Sequence, residues 1–460
     1  MSHSNPNLTT TSSLRAKTRN LLIDRDASQS SGDCGSAPAM TVRGCAMTAR
    51  GCAMRTRSGR VVRFEEVTLP ASKSESNRAL MIAAYGGFAP DFQNLSDSSD
   101  TRLLNRELQG LSSIDSFRND IEDNPQTIDI ADCGTAARFM TTYLASLEGD
   151  WLLTGTERMK QRPMAPLVEA LRRLGADIQY VEKEGCLPLR IHGKALSGGK
   201  TSVDMSQSSQ FASSLLLAAS MFPQGLELEL FGELNSLPYL DMTLALMRHF
   251  LAHAERHGKT VVVKPQPYRQ QPFTIEPDWT AASYWYEMAA FSEECEIRLR
   301  SLSLRSLRPL EGSKGRPNYQ GDAIIAEWMT QLGVGTFIEG DDIVLRKIPI
   351  EKRPLHFDFS QHPDLYPTMA ATCAGLKLDA VFTGLDNLTL KESDRVEAMR
   401  AELSKLGQQP LRFCAHNDHR IAMALAPLSL LFGPVAFDHP EVVEKSYPHF
   451  WDDARFLVTL

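Results

Sequence analysis

Six stretches of this chain are apolar nearly all the way round. They open near Asn77, Thr135, Ser208, Thr280, Asp364 and Asp418 and run on as Ala-Leu-Met-Ile-Ala-Ala, Ala-Arg-Phe-Met-Thr-Thr, Phe-Ala-Ser-Ser-Leu-Leu and similar. A helix with no polar face has to be buried on every side. Ser, Thr, Asp or Asn precedes each stretch, and these residues cap helix N-termini. Between them lie helices of a second kind, amphipathic and stopped by Gly. Leu167 to Gly175, Ile324 to Gly333 and Arg395 to Gly407 are the clearest, with weaker copies ending near Gly110 and Phe250. In the third, Val396, Met399, Leu403 and Leu406 fall on one side. From residue 175 onward these ends recur roughly every 75–80 residues, which implies a repeated supersecondary unit. Short β-type runs, Thr260 to Val263 and Val381 to Thr383, separate the helices.

Six units divide into two domains of three, and 460 residues are too many for one ordinary core. If the buried helices run parallel within each domain, their N-termini converge on one surface. Free N–H groups and partial positive charge would make that surface attractive to anions. The run Ser72-Lys73-Ser74-Glu75-Ser76-Asn77-Arg78, at the first such start, is the strongest candidate for an anion site. Glu75 within it reads as a solvated residue of the helix start, outside the chemistry.

Composition excludes several classes. Net charge is −7, and residues 1–60 carry eight Arg and one Lys against three Asp, so the remaining 400 residues hold −13. Nucleic acid is therefore not an expected partner. No apolar run approaches the roughly 18 residues of a bilayer span, so no membrane partner is expected either. The eight cysteines form no C-x-x-C pair and read as reduced thiols. Residues 1–60 read as a disordered tail, rich in Ser, Thr, Gly and Arg, in which Arg-Gly-Cys-Ala-Met occurs at 43–47 and again at 50–54. A transit peptide is the competing reading of that tail. The fold is expected to begin near Arg60. His416 and His419 have a spacing that permits a metal, but no third ligand is evident. Cys133 beside Asp132 has no identifiable base. Neither a metal nor a cofactor is expected.

Nine blocks then carry a specific resemblance, in order along residues 60–450. They are Leu69-Pro70-Ala71-Ser72-Lys73-Ser74-Glu75-Ser76-Asn77-Arg78; Gly134-Thr135-Ala136-Ala137-Arg138; Arg158-Met159-Lys160-Gln161-Arg162-Pro163; Ser208-Ser209-Gln210-Phe211; Ser236-Leu237-Pro238-Tyr239; Gln320-Gly321-Asp322; Pro363-Asp364; Lys391-Glu392-Ser393-Asp394-Arg395; and Asn417-Asp418-His419-Arg420. Together they resemble the 3-phosphoshikimate 1-carboxyvinyltransferase (EPSP synthase) family of enolpyruvyl transferases. The resemblance implies an α/β fold: two similar domains, each of three βαβαββ-type units with buried parallel helices, an inside-out α/β barrel. It implies a phosphoenolpyruvate-side domain of residues 61–71 plus 276–460 and a shikimate-phosphate-side domain of 72–275.

The implied reaction joins shikimate 3-phosphate to phosphoenolpyruvate. Asp364 is implied as base toward the 5-hydroxyl, Glu392 as proton donor to carbon, and Lys73 and His419 as further catalytic groups. Arg162, Arg395, Arg420 and Lys445 would hold phosphoenolpyruvate. Guanidinium forks match its carboxylate and phosphate oxygens. Ser74, Arg78, Ser208, Ser209, Gln210, Ser236 and Tyr239 would hold shikimate 3-phosphate, with Asn387 and Lys391 on its ring. Lys73 would touch both substrates, and Gly134 would let backbone approach phosphoenolpyruvate. A cytoplasmic monomer is expected.

The chain departs from the family pattern at Ala71 (usually Gly), Asp132 (usually Asn), Leu237 (often Lys or Arg) and Thr389 (commonly Arg), and 88–131 is short. Asp132 and Thr389 lower the positive potential near the site, which bears on affinity rather than on reaction type. The sister transferase acting on UDP-N-acetylglucosamine is one alternative, but its loop cysteine has no counterpart in 154–160. A non-catalytic homologue is the other, although Lys73, Asp364, Glu392 and His419 are all retained.

Overall fold

The computed structural model describes residues 52–56, 59, 61–64, 66–113, 124–302, 319–350 and 353–457. Eleven helices in chain order carry the architecture. They are α1 (Lys73–Gly86), α2 (Ser99–Ser113), α3 (Gly134–Ser146), α4 (Ala165–Arg173), α5 (Ser209–Ala219), α6 (Leu237–His249), α7 (Trp279–Phe291), α8 (Ile325–Gln331), α9 (Tyr366–Leu376), α10 (Arg395–Leu403) and α11 (His419–Leu425). The odd-numbered helices are the apolar ones, and α7 and α11 are buried along their whole length. The even-numbered ones each keep at least one exposed residue, as at Glu169, Asp241, Glu327 and Glu397, and so lie nearer the surface.

The strands explain why the odd helices are buried. Gln126–Asp129 pairs parallel with Gly149–Thr154 across α3, and Gly199–Asp204 with Leu226–Phe231 across α5. Leu355–Asp358 pairs with Ala380–Thr383 across α9, and Leu411–Phe413 with Val435–Phe437 across α11. A parallel pair needs a crossover, and here each crossover is a helix turned into the interior. The sheets form the outside and the helices the core.

Buried side chains fall into two clusters. One is drawn from Ala71 to Ile275, the other from Val67, Leu69 and Trp279 to Leu457. The chain crosses between them twice, side by side. Ala71 bridges Pro277, and the Ser72 N–H donates to the Glu276 carbonyl at 2.8 Å.

Three expectations change. The fold begins before Arg60: Cys52–Thr56 is a strand lying between Ser292–Leu299 and Val61–Phe64 in a five-stranded antiparallel sheet. Cys52 and Met54, from the second Arg-Gly-Cys-Ala-Met copy, are buried in it. Two alternating apolar residues, Cys52 and Met54, in a largely polar run are too weak a signal to mark a strand. Residues 1–51 lie outside the described residues. The caps also differ in part. Ser72, Ser208, Asp278 and Asp418 cap as expected, but the thiol of Cys133 accepts the Ala136 N–H at 3.3 Å at α3, and a 3₁₀ turn, Pro363–Leu365, leads into α9. Finally, α10 buries Arg395, Ala398, Met399 and Glu402, while Val396 and Leu403 are only partly covered and Leu406 lies past its end. Its inner face is partly charged because Arg395 reaches the cavity and Glu402 accepts the Cys414 N–H at 2.8 Å and lies 2.9 Å from His416 Nε2.

Candidate active site

A cavity between the two clusters is lined by residues from five of the six buried-helix starts. Lys73, Ser74 and Arg78 come from α1, Gly134 and Thr135 from α3, and Ser208, Ser209 and Gln210 from α5. Pro363 and Asp364 lead into α9, and His419 and Arg420 open α11. Ser236, Tyr239, Arg162, Asp100, Lys391, Glu392 and Arg395 complete the lining. The sixth start, at α7, acts one step back. Thr280 donates to Asp322 Oδ2 at 2.5 Å, and that oxygen accepts from the Tyr239 hydroxyl at 2.9 Å.

Of the residues expected at the site, Asn387 and Lys445 do not line the cavity. Asn387 is buried in the 3₁₀ turn Asp386–Leu390. Lys445 stands behind the wall. Its ammonium donates to Asp100 Oδ1 at 2.9 Å and pairs with Asp132 Oδ1 at 2.9 Å. Asp100 was missed by sequence reasoning, since one acid in the first turn of an amphipathic helix looks like ordinary capping. It takes Lys73 Nζ at 2.9 Å on its other oxygen, so one carboxylate spaces two cations.

The electrostatics centre on Arg395, whose side chain is 1% exposed. Its Nε donates to Asp418 Oδ2 at 2.8 Å, Nη1 to Asp364 Oδ1 at 2.8 Å and Nη2 to Glu392 Oε2 at 2.9 Å. Asp364 also accepts from Arg420 Nη2 at 2.7 Å, and the Tyr239 hydroxyl lies 3.3 Å away. Burial alone would raise the Asp364 pKa, but Arg420 and Arg395 outweigh it and hold the carboxyl far below its ordinary range. Glu392 is likewise held well down: Arg395 and Arg162 overcome its burial. Lys391 moves the other way, lowered to about 8, chiefly by burial and against the pull of Asp364. His419 is 1% exposed, and among the described residues neither ring nitrogen has a hydrogen-bond partner, although Nδ1 lies 3.9 Å from Asp418 Oδ1. Burial, with Lys73 and Arg420 nearby, keeps its ring neutral.

Gly134 faces the arginines. A Cβ there would lie 2.6 Å from Arg162 Nη1 and 2.9 Å from Arg138 Nη1. Arg78 is buried and anchored by Nη1 to the Ser74 carbonyl at 2.9 Å and by Nε to Thr243 Oγ1 at 2.7 Å. Ser236, at φ 58°, holds a left-handed conformation, and its N–H donates to the Ser360 carbonyl of the other cluster at 2.9 Å. His416 takes no part. Its Nε2 lies 2.9 Å from Glu402 Oε1.

Glu75 contradicts the solvated reading. It is 0% exposed, accepts the Glu276 N–H at 3.1 Å where the two crossover segments meet, and its pKa is raised to about 8 by burial and then by Glu276. Helix-start position says which end of the helix a residue occupies, and packing against the second crossover decides its exposure.

Six cations and three carboxylates line the cavity among the described residues, so an excess of positive charge faces whatever enters. Hydroxyls and helix N-termini supply neutral donors beside it. Fold and site together define an α/β enzyme of the enolpyruvyl transferase type. The family model for EPSP synthase (3-phosphoshikimate 1-carboxyvinyltransferase) matches residues 64–454. The chain is 41% identical over 410 residues to the 3-phosphoshikimate 1-carboxyvinyltransferase of Bacteroides fragilis strain YCH46, covering 85% of this chain and 94% of that one. It is 33% identical over 430 residues to the same enzyme of Haemophilus influenzae strain KW20, covering 84% and 95%. The fold is shared with EPSP synthase from Acinetobacter baumannii at a TM-score of 0.61 and 19% identity, over 89% of this chain and 98% of that chain. It is shared also with the enolpyruvyl transferase NikO from Streptomyces tendae at a TM-score of 0.59 and 15% identity, over 89% and 97%. The chain belongs to the EPSP synthase family.

Proposed function

We propose that the chain transfers the enolpyruvyl group of phosphoenolpyruvate to the 5-hydroxyl of shikimate 3-phosphate, releasing phosphate. This is the shikimate-pathway step toward chorismate and the aromatic amino acids. The observation that carries the residue assignment is the single guanidinium of Arg395 joining Asp364 and Glu392 at 2.8 and 2.9 Å in a cation-rich cavity. Two carboxylates are thereby fixed on one scaffold, one for each proton transfer.

Asp364 takes the hydroxyl proton as the 5-oxygen attacks C2 of phosphoenolpyruvate. Glu392 delivers a proton to C3 as the double bond opens. The tetrahedral adduct then expels phosphate by breaking its C2–O bond, and the C3 proton returns to a carboxylate. The surrounding guanidinium groups favour the ionised form of both carboxylates. Phosphoenolpyruvate, sharing Arg162 and Arg395 with Glu392, brings negative charge that raises the Glu392 pKa, so the substrate itself prepares the acid. Lys73 and neutral His419 steady charge as it develops. Ser74, Arg78, Ser208, Ser209, Gln210, Ser236 and Tyr239 hold shikimate 3-phosphate, with Lys391 and Asn387 toward its ring. Arg420 takes an oxygen of phosphoenolpyruvate directly, and Lys445 contributes through Asp100.

The clusters centred on Ala71–Ile275 and Trp279–Leu457 support domain boundaries at 72–275 and at 61–71 plus 276–460, the latter extended to include Cys52–Thr56. No helix among the described residues is long and apolar enough to cross a membrane. A monomer working in the cytoplasm is our reading. Phosphate release that requires both shikimate 3-phosphate and phosphoenolpyruvate tests the reaction. Release with UDP-N-acetylglucosamine in place of the shikimate would reassign it to the sister transferase, and no release at all would favour a non-catalytic homologue.

A further inference from the structure

Glu392 sits on a stretch of backbone with no regular hydrogen-bonded support. It follows the 3₁₀ turn Asp386–Leu390 and precedes Asp394, the cap of α10, and Lys391 is extended at φ −83° and ψ −161°. Its carboxylate is held by Arg395, but a general acid also needs its main chain fixed. One side chain from the opposite domain reaches it. Arg158 donates from Nε to the Glu392 carbonyl at 3.0 Å and from Nη2 to the Lys391 carbonyl at 2.9 Å. The partners are 234 and 233 residues apart in sequence. Arg158 is exposed and does not line the cavity.

The base of Arg158 is rigid. The Thr156 N–H donates to the Ala131 carbonyl at 2.9 Å, and a Cβ on Gly155 would lie 2.4 Å from that same oxygen, so the loop is pressed onto its own domain. Met159, the next residue, is fully buried. Four residues on, Arg162 Nη1 lies 3.9 Å from Glu392 Oε1. The same short loop thus addresses both the backbone and the carboxylate of Glu392. Two consecutive carbonyls meet the fork of one guanidinium, a geometry that an ammonium can satisfy only in part.

We propose that Arg158 is a positioning residue, an inter-domain latch whose fork sets the Lys391–Glu392 backbone so that Glu392 faces the reacting carbon when the cleft is shut. The inference rests on the reading of Glu392 as the proton donor in enolpyruvyl transfer. Errors of about 1 Å in placing a catalytic group cost on the order of a hundredfold in rate, so loss of the latch appears in turnover before it appears in stability.

The test compares the full chain with Arg158→Ala and Arg158→Lys by phosphate release, together with thermal unfolding. Arg158→Ala is expected to lower kcat at least about tenfold, with KM for shikimate 3-phosphate within about twofold. Arg158→Lys should recover part of the loss, and both variants should melt within a few degrees of the parent. An active parent with an Arg158→Ala variant of equal kcat overturns the latch. Equal losses in both variants that follow a lowered melting temperature overturn it too, since that is a purely structural role. An inactive parent would instead sink the reaction on which the inference rests.

Discussion

Glu392 and Gly134 show how much a few atoms decide here. Glu392→Gln keeps the hydrogen-bond acceptor for Arg395 but cannot supply the proton. It should lower kcat by about a hundredfold or more, the usual worth of general acid–base catalysis, while calorimetry finds shikimate 3-phosphate binding little changed. Surviving turnover would move the acid elsewhere. Gly134→Ala places a methyl carbon 2.6 Å from Arg162 Nη1. The guanidinium has to give way, and KM for phosphoenolpyruvate should rise about tenfold, the equivalent of about 1.4 kcal/mol. An unchanged KM would mean that Arg162 yields without cost. Lys391, its pKa lowered to about 8 mainly by burial, is charged below that pH and neutral above it. Shikimate 3-phosphate should therefore bind less well as pH rises through about 8, and Lys391→Arg should move that limb upward. A limb that stays in place in the arginine variant would assign it to another group.

At the scale of elements, two changes read out packing. A chain starting at Arg60 loses the strand Cys52–Thr56, which is hydrogen-bonded on both edges and buries Cys52 and Met54. Two lost core side chains are worth about 3 kcal/mol or more, and the melting temperature should fall by several degrees relative to a chain starting at Gly51. No difference between the two would make the strand dispensable. Helix α7 carries the opposite case. Glu287 is fully buried, neither carboxylate oxygen has a hydrogen-bond partner among the described residues, and burial alone raises its pKa well above the ordinary value. Above the ordinary carboxylate pKa the unfolded chain releases a proton that the folded one keeps. Stability therefore falls as pH rises from there toward the raised value. Glu287→Gln should remove that slope, melting higher than the parent at pH 8 and nearly with it at pH 4. Parallel pH curves for the two proteins would contradict it.

Across the whole molecule, the site exists only where the two domains meet. Leu237 N–H donates to Gln361 Oε1 at 2.9 Å, Gln361 returns a bond to the Leu234 carbonyl at 2.9 Å, and Lys445 crosses to Asp100. Asp132 adds a second carboxylate to Lys445 where the family usually has Asn. In the proposed reading Asp132 shares the lysine that reaches the cavity only through Asp100, so affinity for phosphoenolpyruvate is the quantity it would bear on. Thr389 is exposed, with its hydroxyl on the Asp386 carbonyl at 3.1 Å, outside the cavity lining.

The alternation of α1 to α11 was legible along the chain because a helix apolar on all sides can only be interior, and that rule needs no partner to be known. The motif blocks around Lys73, Gly134, Ser208, Asp364 and Glu392 were legible for the same local reason: their residues are neighbours in sequence. What the chain order could not specify is what depends on distant partners. Cys52–Thr56 is a strand because two other strands flank it, and Glu75 is buried because Glu276 comes back past it. Asp100 belongs to the site because Lys73 and Lys445 close on it from two domains. Periodicity and motif are properties of adjacent residues and so can be read in order. Burial and charge pairing are set by which segments the folded chain brings together, and only the tertiary structure decides that.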